Sequence, residues 1–86
     1  MDPLEAAVKL GKDTEALREN PALGEVVSIM RQDAISRWAN SPVQDQAGRE
    51  SSFYVLQAIK AFEAAIETLV GRGNAARNKL AQKANK

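Results

Sequence analysis

The sequence predicts an all-α protein: a short N-terminal helix, an antiparallel hairpin of two longer helices, and a frayed basic helix at the C-terminal end. Three observations lead there. Alanine, leucine, glutamate, glutamine, lysine and arginine, all strong helix formers, fill most positions. Apolar residues recur three and four places apart, the period of one helical face. No run of β-branched residues alternates with polar ones, as a half-buried strand would require.

The first helix opens at Asp2-Pro3, an N-cap followed by a residue suited to the first turn, and Glu5 completes an approximate capping box. Leu4, Ala7 and Val8 share its apolar face, and Glu5 and Lys9 stand one turn apart as a favourable pair. Gly11 is expected to end or weaken this helix, with a second short turn over 13–18.

Asn20-Pro21 is a clearer start. From there Leu23, Val27, Met30, Ala34 and Trp38 form one apolar stripe at steps of four, three, four and four, flanked by Val26 and Ile35. Asp33 and Arg37 pair on the wet side. Trp38, the single tryptophan, lies on the stripe and is expected to anchor a core or an interface.

Ser41-Pro42 breaks the chain, because a residue before proline resists helical geometry. Ser41 and Gln44 fit a capping box, so the third helix starts either at once or after Gly48, and it is strongest over 51–70. Val55, Ile59, Phe62, Ile66 and Leu69 make a heptad seam along it. Beside the seam, Tyr54, Ala58, Ala61, Ala65 and Thr68 make a second stripe of mostly small residues. One partner helix covers only one seam, so the second stripe needs another contact, either the N-terminal helix or a second copy of the chain. Gly71-Arg72-Gly73-Asn74 is expected to end the long helix, with a last short one to about Gln82. The organisation that follows is a single helical domain over 1–86, with 1–19 as N-terminal helix or arm, 20–71 as hairpin and 72–86 as basic tail.

Composition narrows the chemistry. An 86-residue chain builds one modest core and leans on staples or partners for stability. Cysteine and histidine are absent, which removes disulfides, thiolate and imidazole metal ligands, a thiol nucleophile and a histidine base. Self-association or docking on a partner is the compensation that remains, so the protein is expected to be oligomeric. Gly71-Arg72-Gly73-Asn74-Ala75-Ala76 spells a dinucleotide-binding loop, but a helix precedes it where the mechanism needs a strand. Glu63 and Glu67 are the one close pair of carboxylates on a helix face, beside Lys60, and read as solvated surface. No catalytic, cofactor or metal residues are assigned, and the chain is expected not to be an enzyme.

Charge is uneven. Residues 1–67 hold 11 acids and seven bases, a net −4; residues 68–86 hold Arg72, Arg77, Lys79, Lys83 and Lys86 and no acid, a net +5. A cationic end suits a helix C-terminus, and it also suits nucleic acid or an acidic neighbour. It lacks aromatic residues to stack on bases, and no basic recognition helix precedes it. No segment is apolar enough to span a bilayer, and Met1-Asp2-Pro3-Leu4-Glu5 lacks the features of a secretory signal, so a protein made in the cytosol, or packaged from it, is expected.

Three segments carry a family resemblance: 20–27 (Asn-Pro-Ala-Leu-Gly-Glu-Val-Val), 33–41 (Asp-Ala-Ile-Ser-Arg-Trp-Ala-Asn-Ser) and 47–50 (Ala-Gly-Arg-Glu). A long amphipathic helix and Gly71-Arg72-Gly73 follow them. Together, over about residues 20–80, they resemble short helical proteins that tailed bacteriophages encode in the late region for head assembly. The resemblance implies a virion or head-assembly protein, in the particle or the host cytoplasm, whose partners are itself or another phage protein. Most members have no assigned activity, so it brings no functional residues with it. The expected interface residues are Tyr54, Ala58, Ala61, Ala65 and Trp38; the expected contacts to nucleic acid or an acidic partner are Arg72, Arg77, Lys79, Lys83 and Lys86. The alternatives are a nucleic-acid-associated packaging or regulatory protein that uses the basic tail, and a small inhibitor of a host protein.

Overall fold

The computed structural model describes residues 2–85. It holds α1 (Pro3–Arg18), α2 (Pro21–Asn40) and α3 (Gln46–Ala84), and no strand among the described residues. Two compact units make up the chain: residues 1–20 with 64–86, and residues 21–63. The first joins α1 to the C-terminal half of α3, the second α2 to its N-terminal half.

In the first unit α1 begins as expected. Asp2 Oδ1 accepts from the Leu4 amide at 2.6 Å, and Pro3 takes the first turn. The helix does not end at Gly11; it runs 16 residues, and Gly11 is buried in its middle. Nor does α3 end at Gly71-Arg72-Gly73-Asn74. It is one helix of 39 residues, about 58 Å long, so the expected short, frayed C-terminal helix is corrected to the second half of a long one. The physical reason is the same at both places. Glycine weakens a helix by roughly 1 kcal/mol against alanine, but here it also lets two backbones meet. A Cβ built on Gly11 would lie 2.8 Å from the Cα of Gly73. Ile66, Val70 and Ala76 are buried along the same stretch, and packing overrides propensity. No glycine has a positive φ, so none acts as a left-handed cap. Arg18 reaches Glu67 across the helices at 2.9 Å, and Thr14, also buried, returns its hydroxyl to the Leu10 carbonyl at 2.7 Å.

In the second unit α2 starts at Pro21, as the sequence predicts. The turn after it differs from the capping box expected at Ser41. Ser41 Oγ instead donates to the Trp38 carbonyl at 2.7 Å and closes the end of α2. Asp45 is the cap of α3, its Oδ1 accepting from the Gly48 amide at 3.0 Å. Helix α3 therefore starts at Gln46, between the two expected positions. Arg31 meets Glu63 at 2.6 Å, and the guanidinium of Arg49 lies 5.3 Å from the ring centroid of Trp38. These contacts run in opposite chain order along α2 and α3. Ala34 and Ile59 are buried in this unit, and Ser52 is satisfied by the Gly48 carbonyl at 3.2 Å.

Candidate protein-docking surface

The two stripes of α2 and α3 meet with much of their apolar surface uncovered. Of the expected α2 stripe, Ala34 is buried, Leu23 and Val27 are half-buried, and Met30 and Trp38 are exposed. On the α3 seam Ile59 and Ile66 are buried and Leu69 half-buried, while Val55 and Phe62 stay exposed. Between them an apolar groove of about 370 Å³ opens in the second unit. Leu23, Val26, Val27 and Met30 form the α2 wall, and Val55, Ala58, Ile59 and Phe62 the α3 wall. Apolar surface left uncovered by protein costs free energy in proportion to its area, roughly 25 cal/mol per Å². A shallower hollow against Ala47, Glu50 and Tyr54 shares Val55 and Ala58 with the groove and extends the patch along α3.

The residues expected at an interface are distributed as follows. Ala58 lines the groove, and Tyr54 lines the adjoining hollow at 65% exposure. Ala61 and Ala65 are exposed further along α3. The side chains buried on α3 in the first unit are Ile66, Val70 and Ala76, not the alanine stripe. Trp38 is exposed on α2, outside the groove wall, with Arg49 against its ring. The expected interface residues thus include Ala58 and Tyr54 of the α3 lip but none of the α2 lip, whose Leu23, Val27 and Met30 stand on the expected α2 stripe with Val26 beside it. Val26 and Met30, at 53% and 48% exposure, are the residues that complete it. A signal for them was in the sequence: Leu23, Val26, Val27, Ile29 and Met30 cover more of the α2 circumference than a single neighbour can shield.

Electrostatics around the groove is quiet. Arg31 is matched by Glu63, and Arg37 by Asp33 at 3.0 Å. Charge gathers instead on the C-terminal half of α3. Arg72, Arg77, Lys79 and Lys83 are all exposed, and no carboxylate pairs with them among the described residues. Because the helix continues through the glycines, Arg72, Lys79 and Lys83 fall at steps of seven and four, on one side of it, while Arg77 points elsewhere. Lys86 lies outside the described residues.

Among the described residues no group of three or more acidic side chains is placed to hold a metal ion. No helix there is long and apolar enough to cross a membrane. No protein-family model matches the chain, and no curated protein or solved structure matches it either.

Proposed function

We propose that this is a small non-enzymatic assembly protein that works through protein–protein contacts of an antiparallel α2–α3 hairpin. One observation carries the reading: the lone chain leaves its largest apolar side chains outside. Leu10, Leu17, Val26, Ile29, Met30, Ile35, Phe53 and Tyr54 are each at least 45% exposed, and the buried apolar residues among those described are Ala34, Ile59, Ile66, Val70 and Ala76. In the second unit Val26, Met30, Tyr54, Val55 and Phe62 gather at one groove and the hollow beside it, and exposed apolar surface gathered in this way marks an interaction site. The resemblance of residues 20–80 to late-region proteins of tailed bacteriophages supports head assembly as the setting, in the virion or in the host cytoplasm. Quantitative mass spectrometry of purified particles and of head intermediates from the encoding phage tests it. The chain is expected in one or both at stoichiometric level; its absence from both overturns the reading.

A second reading has its own observation, the one-sided row of Arg72, Lys79 and Lys83 on an exposed helix. Such a row favours contact with nucleic-acid phosphates, with affinity that falls steeply as salt rises. A salt-titrated DNA-binding assay on wild type and on the triple Arg72→Gln, Lys79→Gln, Lys83→Gln variant tests it. Binding that the triple variant retains overturns the role of this row.

A further inference from the structure

We infer that the groove of the second unit is filled by a second copy of this chain, in a two-fold dimer that joins α2 and α3 of each protomer into a four-helix contact. The inference rests on the assembly reading above and names its first partner.

The first argument is area. Val26, Met30, Tyr54, Val55, Ala58 and Phe62 form the exposed part of the groove and its extension, and the large ones among them are 38% to 65% exposed. Side chains of this size at these exposures offer on the order of 500 Å² together. A stable interface covers about 800 Å² per partner, of which about 65% is apolar in a homodimer. The patch is therefore the right size for the apolar centre of one such interface.

The second argument is charge. A two-fold contact sets each patch against its own image, so any net charge meets itself. Residues 21–63 carry five acids and four bases, and Arg31 and Arg37 are already matched by Glu63 and Asp33. Self-contact here meets little repulsion, whereas a polyanion or an anionic lipid surface gains nothing from it. The cationic half of α3, where a polyanion would gain, belongs to the other unit.

The third argument is shape. An isologous contact requires projections and a recess on one and the same face, because residue i meets j while j meets i. Met30 on the α2 wall and Phe62 on the α3 wall are large and 48% and 42% exposed, and Ala58 on the α3 wall is small.

The test compares two substitutions of the same chemistry by sedimentation velocity over a concentration series. Wild type is expected to dimerise in the micromolar range. Val26→Asp places a charge in the groove and should weaken association at least tenfold, with helical circular dichroism unchanged because the side chain is exposed in the monomer. Val43→Asp, on a loop residue 82% exposed, should leave association as in wild type. Since the chain contains no cysteine, a single Ala58→Cys reports proximity without background. It should form an intermolecular disulfide under mild oxidation, and Gln57→Cys should not. A strict monomer at high micromolar concentration overturns the inference, and so does association that Val26→Asp leaves intact or that Val43→Asp abolishes. If the chain is nevertheless found in phage particles, the assembly reading stands without the groove dimer. If the dimer forms but the chain is absent from particles and intermediates, the assembly reading falls alone.

Discussion

Gly11 of α1 and Gly73 of α3 meet backbone to backbone. A Cβ on either would lie 2.8 Å from the Cα of the other, and a Cβ on Gly11 would lie 3.2 Å from the Leu69 carbonyl oxygen. Neither obstacle is a flexible side-chain end, so relief requires the helices to separate. Gly11→Ala and Gly73→Ala should each lose stability, by up to about 2 kcal/mol net, because a clash of about 1–3 kcal/mol outweighs the propensity gain of about 1 kcal/mol. Gly71→Ala is the control. Its Cβ meets nothing within 4 Å, so it should stabilise by about 0.5–1 kcal/mol. Chemical unfolding followed by circular dichroism measures all three, and a Gly73→Ala protein as stable as Gly71→Ala would show that α1 does not pack there.

Trp38 gives an optical handle on the second unit. It is 48% exposed and carries the Arg49 guanidinium 5.3 Å from its ring centroid. A cation over an exposed indole contributes about 0.5–1 kcal/mol. Arg49→Ala should shift Trp38 emission to longer wavelength, raise its quenching by acrylamide, and lower stability by that amount. An unchanged spectrum would mean the stacking is absent in solution.

The Lys9–Asp13 pair on α1 gives a pH prediction. The ammonium and carboxylate are 2.9 Å apart, and the hydrogen bond, with the attraction of the Asp13 charge, raises the Lys9 pKa above its ordinary 10.5. A folded-state value raised above the unfolded one means that the pair's contribution is complete below the ordinary lysine value and is lost as pH climbs through the raised one. Wild type should therefore be slightly more helical than Lys9→Met at neutral pH, with the difference closing above the lysine range and shrinking in high salt. A gap that persists at high pH would assign the effect to packing of the lysine stem.

Much of this architecture is legible in the sequence, for local reasons. Asp2-Pro3 and Asn20-Pro21 mark true helix starts because capping and proline geometry are decided within a few residues. The Asp45 cap is equally local, but the Ser41-Gln44 pattern just before it mimics a capping box, and Pro42 keeps that pattern in a turn closed by the Asp45 amide on the Pro42 carbonyl at 2.9 Å. The glycines are misread for the opposite reason. At Gly11 and Gly73 the sequence offers only a helix breaker, and the fact that turns it into a contact point lies on another helix. The candidate site divides the same way. The residues of both lips stand on stripes visible from periodicity, whereas which of them stay uncovered depends on how α2 and α3 pack against each other.

The sparse core has a calorimetric consequence. With Ala34, Ile59, Ile66, Val70 and Ala76 as the sheltered apolar residues, an isolated molecule sheds little dry surface on melting, so its heat-capacity step should be small and its transition broad. Any association of folded chains would add to this by mass action, and would show as a melting temperature that rises with protein concentration.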